Sequence, residues 1–125
     1  MAVFEELIKT ADWKQEKHAP VIEVPEKVKK GELVTITVSV GKEIPHPNTL
    51  EHHIEWIDVY FVPEGAKAPY HVVRFDFAAH GAAEGVISEP IASFGFKTDK
   101  PGTFYVFSFC NIHGIWGNTA KLEVE

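Results

Sequence analysis

Short apolar segments that alternate with polar residues recur along the chain from about residue 20 onward. Residues 34–40 alternate valine and isoleucine with threonine and serine, and residues 120–124 alternate alanine, leucine and valine with lysine and glutamate. A period of two is typical of a β-strand with one buried face. Other segments rich in β-branched and aromatic residues bring the predicted total to about seven strands: 21–24, 54–62, 73–77, 94–96 and 103–109.

Turn-forming residues separate these segments. Residues 29–31, 63–65 and 100–102 each end in glycine between two strand patterns, and the last carries Pro-Gly in the order that a type II turn prefers. Residues 79–89 are rich in glycine and alanine and are predicted to form a longer loop, whereas residues 3–9 favour a helical turn or two. The predicted fold is therefore all-β: an immunoglobulin-like, seven-stranded antiparallel β-sandwich with a short N-terminal helical segment. The Cys…Trp…Cys pattern of antibody domains is missing, so this likeness is one of architecture alone.

Length and charge restrict the possible functions. A chain of 125 residues is expected to form one domain spanning residues 1–125, and 45% hydrophobic residues suffice for a core. Its net charge of −6 argues against nucleic acid as a partner. No apolar run approaches the roughly 20 residues of a membrane span, and the first residues do not resemble a secretory signal. We therefore expect a cytoplasmic protein without membrane contact.

The single cysteine lies in the segment Cys110-Asn111-Ile112-His113-Gly114. One cysteine cannot form an internal disulfide. A thiolate and an imidazole three residues apart at a strand end can reach one metal ion, and Gly114 permits the sharp turn that this requires. The chain has seven histidines, so imidazole partners are plentiful. The segment predicts a mononuclear metal centre.

Three upstream segments supply candidate imidazole ligands. His18 lies near the N-terminus, His46 stands between two prolines that limit its conformers, and His52 and His53 follow shortly after. Adjacent residues on a strand point to opposite faces, so at most one of His52 and His53 should bind the metal, and parity does not say which. The remaining histidines, His71 and His80, are expected to be ordinary surface or core residues.

Together these segments resemble the single-iron superoxide reductases, also called neelaredoxins. The resemblance rests on His18 in Glu-Lys-His-x-Pro, His46 in Ile-Pro-His-Pro-Asn, His52 in Glu-His-His, and Cys-Asn-Ile-His-Gly, in that order. It runs from about residue 12 to the C-terminus. It implies one iron per chain, with an axial thiolate from Cys110 and four equatorial imidazoles: His18, His46, His52 and His113. The cysteine-rich, rubredoxin-like domain of the two-iron relatives has no counterpart here, which implies the one-iron form.

The resemblance also implies an activity, the one-electron reduction of superoxide to hydrogen peroxide. Five protein donors leave one octahedral position open for a small ligand. The thiolate offsets only one of the two ferrous charges, so the reduced site would attract an anion despite the acidic chain. Lys17 would add a second positive charge, and Glu16 is implied as the ligand of the sixth position in the ferric state. A rubredoxin-like electron donor and a homo-oligomer, with a tetramer as the expected form, are implied as well.

Two other classes of protein share part of this pattern. A cupredoxin-like copper carrier is also a β-sandwich with a Cys-x-x-His segment, but its site uses two histidines and a weak axial methionine. The only methionine here is Met1. The other class is an immunoglobulin-like binding module with incidental histidines, which predicts neither metal nor colour.

Overall fold

The computed structural model of the chain describes residues 7–125, and its eight elements are all β-strands. Their bounds in chain order are β1 Pro20–Glu23, β2 Lys27–Val28, β3 Val34–Val40, β4 Ile54–Pro63, β5 Tyr70–Asp76, β6 Ile91–Phe96, β7 Gly102–Cys110 and β8 Gly114–Val124.

The strands form two sheets that pack as a sandwich. The smaller sheet has the order β1-β3-β6, and the larger has the order β2-β8-β7-β4-β5. All neighbouring pairs are antiparallel except β2 and β8, which run parallel. The β-sandwich expected from the alternating pattern is confirmed.

The core lies between the two sheets and is built from the inward residues of each strand. Fully buried side chains come from β3, β4, β7 and β8: Ile36, Val38, Ile57, Val59, Phe104, Val106 and Leu122. Burying one such side chain contributes about 1.5–3 kcal/mol relative to leaving it in water. Because inward and outward residues alternate, this core also fixes the register of each strand.

Three details of the predicted architecture are wrong. The sheets are not wholly antiparallel, because β2 and β8 run parallel. The structure has eight strands rather than about seven. The sequence pattern does not predict β2, because a strand of two residues is too short to show a period. The N-terminal helical segment, predicted for residues 3–9, is not among the described elements. Residues 3–6 lie outside the described range, and Lys9 forms a parallel bridge with Trp116. Within residues 7–125, no helix is long and apolar enough to cross a membrane.

Two of the three predicted turns contain a glycine with a positive φ angle. Gly31 and Gly65 adopt φ angles of 72° and 85°, which favour glycine. Gly102 is not among the glycines with positive φ, so the type II turn is wrong; the residue instead begins β7. Glycine is required there by close packing, since a Cβ atom would lie 2.6 Å from the ring of Phe61.

Candidate metal centre

Two strands of the larger sheet bring the cysteine and the paired histidines together. Ile54, the first residue of β4, pairs with Cys110, the last residue of β7. His52 and His53 immediately precede β4, so they reach the same end of the sheet as Cys110. His52 and Cys110, which are 58 positions apart in sequence, therefore become neighbours because the two strands are antiparallel.

The turn between β7 and β8 folds His113 back beside the sulfur. Cys110 pairs with Gly114 across this hairpin, and Gly114 has a φ of 83° that a larger residue would rarely adopt. The backbone N–H of His113 donates to Cys110 Sγ at 3.4 Å, and His113 Nδ1 lies 3.6 Å from the same sulfur. The turn thus supplies a thiol sulfur, an imidazole and a hydrogen bond to the sulfur.

The segment carrying His46 depends on a glycine that the sequence analysis did not single out. Gly41 follows β3 with a φ of 92°, and a Cβ atom there would lie 2.9 Å from the backbone nitrogen of His46. Both observations require glycine at this position. The His46 ring donates from Nδ1 to the carbonyl oxygen of Pro47 at 2.7 Å, which leaves Nε2 without a proton when the ring is neutral.

His18 is held from three sides just before β1. The Ser108 hydroxyl donates to the His18 carbonyl at 3.3 Å, and the Trp116 indole stacks on the His18 ring with centroids 5.2 Å apart. On the third side, His18 Nδ1 lies 2.7 Å from a carboxylate oxygen of Glu16. An Nδ1–H donated to this carboxylate leaves Nε2 free of a proton and directed at the other histidines.

The four imidazoles form a closed ring. Neighbouring centroids are separated by 4.9 Å from His18 to His46, 4.7 Å from His46 to His52, 5.1 Å from His52 to His113 and 4.6 Å from His113 to His18. The diagonal from His18 to His52 is longer, at 6.4 Å. Four near-equal sides with a longer diagonal are the arrangement that a square of equatorial ligands requires.

The distances between candidate ligand atoms suit one metal ion. Ligand atoms of His18, His46, His52 and Cys110 all lie within 4.8 Å of one another. His18 Nε2 and His113 Nδ1 are 3.0 Å apart. Metal–imidazole bonds of about 2.1 Å at right angles would put two nitrogens ~3.0 Å apart, so this pair already has the spacing of adjacent ligands.

The chemistry of the donor atoms gives a second test of fit. The Nε2 atoms of His46 and His52 are buried and have no hydrogen-bond partner among residues 7–125. Burial lowers the pKa of His46 to about 4, and burial is also the largest cause of the lowered pKa of His52. Both rings are therefore neutral near pH 7. Buried polar atoms without partners are costly, and a metal ion would satisfy both nitrogens at once. The residues fit a metal ion.

The other three histidines lie outside this ring. His53 Nδ1 donates to the carbonyl of Thr49 at 2.8 Å, and its ring stacks on His80 with centroids 3.5 Å apart. His71 Nε2 lies 2.5 Å from a carboxylate oxygen of Asp58. The structure thus separates His52 from His53, which strand parity left open.

Glu16 and Lys17 border the ring without belonging to it. The Glu16 carboxylate already bonds to His18, because its Oε1 accepts from the His18 backbone N–H at 3.0 Å as well as from the ring. The hydrogen bond from the His18 ring is the largest cause of the lowered pKa of Glu16. Lys17 is half-buried, and its ammonium adds to the lowered pKa of His46 and His52, as a smaller cause than burial and the neighbouring imidazoles. Its positive charge therefore reaches the site.

The chain is similar to known proteins along nearly its whole length. The family model described as Desulfoferrodoxin matches residues 10–119. The chain is 52% identical to a superoxide reductase of Pyrococcus furiosus, over 94% of this chain and 98% of that protein. It is 49% identical to a neelaredoxin of Megalodesulfovibrio gigas, over 96% and 97% of the two chains. The solved structure of the reduced superoxide reductase (neelaredoxin) of Archaeoglobus fulgidus superposes with a TM-score of 0.86 at 55% identity, covering 94% of this chain and 98% of that one. The chain belongs to the desulfoferrodoxin family.

Proposed function

We propose that this chain is a superoxide reductase with one mononuclear iron. One superoxide anion, one electron and two protons give one hydrogen peroxide. The observation that carries the proposal is the pair of buried, unpartnered Nε2 atoms of His46 and His52 beside the Cys110 thiol. The family membership and the superoxide reductases of about half-identical sequence support the same activity.

Five residues would hold the iron: His18, His46, His52 and His113 through ring nitrogens and Cys110 through its sulfur. Bound iron would supply the one-electron chemistry, and five protein donors leave a sixth position for a small molecule. The hydrogen bond from the His113 N–H to Sγ would moderate the electron donation of the thiolate. The copper carrier considered above finds no support, because four imidazoles rather than two surround the sulfur.

Lys17 is proposed to act before the electron transfer. The chain carries a net charge of −6, so its overall field opposes the approach of superoxide. The positive charge of Lys17 beside His18 opposes that field locally. An ammonium can also orient a water molecule that delivers a proton, which the formation of hydrogen peroxide requires.

Glu16 is proposed to act after the electron transfer. In the described geometry its carboxylate accepts the His18 ring N–H and so orients that ring. Oxidation adds one positive charge to the site, and a carboxylate two residues from His18 can neutralise it. We propose that the Glu16 carboxylate would then leave its hydrogen bond with His18 and serve as a further ligand of the oxidised iron.

The proposed electron donor is a small rubredoxin-like protein. His113 and Ile112 support a route of entry, because His113 is exposed and the Ile112 side chain is 58% exposed beside it. A ligand ring at the surface shortens the path from an outside donor. An apolar neighbour offers that donor a surface from which water is readily displaced.

We also propose a homo-oligomer, with a tetramer as the expected form, and a cytoplasmic location. The outer face of the larger sheet supports self-association. There an open groove of about 680 Å³ is lined by aromatic and aliphatic side chains: Trp56, Tyr60, Tyr105, Phe107 and Ile115 among them. An apolar sheet face of this kind is typical of a covered surface.

Reductase activity is tested by separating it from dismutase activity. The iron-loaded, reduced protein should consume one superoxide per iron, form one hydrogen peroxide and then stop until an outside one-electron donor is added. A dismutase would need its oxidised site to take an electron from a second superoxide, which the donating thiolate and the Glu16 carboxylate both oppose. Pulse-generated superoxide with oxygen detection measures this. Sustained dismutation without a donor would refute the proposal.

The ligand assignment predicts different outcomes for two adjacent histidines. His52→Ala should lower the iron content at a fixed iron concentration, because it removes a buried nitrogen that has no other partner. His53→Ala should leave the content nearly unchanged, since the ring of His53 bonds to Thr49 and stacks on His80. His71→Ala, far from the ring, is the control. Equal iron loss in the His52 and His53 variants would remove the basis for assigning His52.

Lys17 and Glu16 should affect different stages of the reaction. Removing one charge near the site is worth ~1–3 kcal/mol at an effective dielectric near 20, after screening. Lys17→Ala should therefore slow the reaction of the reduced protein with superoxide by roughly tenfold or more. Added salt should slow the unchanged protein more than this variant.

The matched variant is Glu16→Gln, whose amide oxygen can still accept the His18 N–H but carries no charge. It should leave the first encounter unchanged or slightly faster, while cyanide or azide should bind the oxidised site more readily. Stopped-flow mixing at two ionic strengths separates the two effects. If Glu16→Gln slowed the encounter as much as Lys17→Ala, the proposed division between the two residues would be wrong.

A further inference from the structure

We propose that Asn111 is a positioning residue that fixes the segment carrying His52 relative to Cys110. Asn111 follows Cys110 directly in the chain, and its side chain is exposed. It touches no candidate ligand atom, so it acts on the site through the backbone alone. This inference rests on the proposed iron site.

Three hydrogen bonds join Asn111 to the backbone on both sides of His52. The side-chain Nδ2 donates to the carbonyl of Glu51 at 2.9 Å. The backbone N–H of His53 donates to the side-chain Oδ1 at 2.9 Å. The backbone N–H of Asn111 donates to the His53 carbonyl at 3.2 Å. Because these bonds bracket His52, they limit both translation and rotation of its backbone relative to Cys110.

The strand pairing alone does not provide this restraint. Ile54 pairs with Cys110, but the next pair is Trp56 with Phe109, so the register shifts at the first step of the ladder. Such a bulge interrupts the regular hydrogen bonds between two strands. The Asn111 bonds lie just beyond the bulge and extend the connection of the two strands to the ligands themselves.

Other polar contacts of the segment that carries His52 do not connect it to the Cys110 turn. The Thr49 hydroxyl accepts from the His52 N–H at 3.1 Å, which restrains the segment only against itself. Asn48 donates to the Ser88 carbonyl at 2.9 Å and so connects the segment to the loop before β6. Across residues 7–125, the side-chain hydrogen bonds between residues 46–53 and the Cys110–Gly114 turn both come from Asn111.

Loss of these bonds should loosen the metal site without unfolding the protein. Asn111 is exposed, so Asn111→Ala leaves no cavity in the core. Replacing residues that orient metal ligands typically weakens metal binding by about 10–100-fold. We expect Asn111→Ala to release Fe(II) to an excess of a ferrous chelator about 10–100-fold faster than the unchanged protein does. The thiolate-to-iron band of the oxidised protein should also shift and broaden.

Two further variants complete the experiment. Asn111→Asp keeps the acceptor for the His53 N–H but loses the donor to Glu51, so its release rate should fall between those of the other two proteins. Asn118→Ala is the matched control, because Asn118 also bonds to backbone groups, at Pro20 and Thr119, but does not join the two ligand segments. Its thermal stability should fall about as much as that of Asn111→Ala, with the band unmoved.

The outcomes distinguish a failure of the positioning role of Asn111 from a failure of the proposed superoxide reductase function. Unchanged iron release and an unmoved band in Asn111→Ala would overturn the positioning role while leaving the iron site intact. An equal shift of the band in Asn118→Ala would also overturn it, since the effect would then follow general destabilisation. If the unchanged protein bound no iron, the proposed function itself would fail.

Discussion

The pairing of β4 with β7 is the constraint on which the metal centre depends. Ile54 must face Cys110 for the His52 segment to reach the sulfur, and Cys110 must face Gly114 for His113 to fold back. A slip of one residue would turn every side chain to the opposite face of the sheet. The register is fixed away from the site, by inward residues such as Val59 and Val106, which pair with each other and are fully buried. The hydrophobic core therefore determines whether the ring of four imidazoles can form beside Cys110.

Two nitrogens of the histidine ring, Nε2 of His46 and Nε2 of His52, are buried without a hydrogen-bond partner among residues 7–125. Hydrogen bonds to Pro47 and Glu16 direct the protons of His46 and His18 outward and leave the inward nitrogens bare. Burial keeps the His46 ring neutral, with a pKa of about 4. An imidazole nitrogen must be free of a proton to bind a metal ion, so metal affinity at this site should depend on pH. Lys17 adds a charge of the opposite sign to that of the chain as a whole.

Most of the strands could be predicted from the sequence because they rest on a local pattern, whereas the proposed ligand set follows from the resemblance of four ordered motifs to the superoxide reductases. Strands with one buried face show a period of two in the sequence. Cys110 and His113 are only three residues apart, so the sequence alone indicates that one turn carries both. Strand parity could not predict that the His53 ring bonds to Thr49 and stacks on His80 while His52 lies in the cluster, because these contacts join residues that the sequence pattern does not relate. Strand β2 could not be predicted from the sequence, because two residues are too few to show an alternating pattern. Gly41 and Asn111 were missed because their importance lies in which distant backbone groups they approach.

The central claim is that the thiolate of Cys110 and the surrounding imidazoles hold one iron. The most direct measurement is the visible spectrum of the oxidised, iron-loaded protein and of its Cys110→Ser variant, with the iron content of both determined by chemical assay. We predict one iron per chain and a thiolate-to-iron charge-transfer band that disappears in Cys110→Ser, even if the imidazoles retain part of the iron. A band of unchanged position and intensity in Cys110→Ser would contradict the assignment of the sulfur. Stoichiometric copper or zinc in place of iron, in protein from its native host, would contradict the account as a whole.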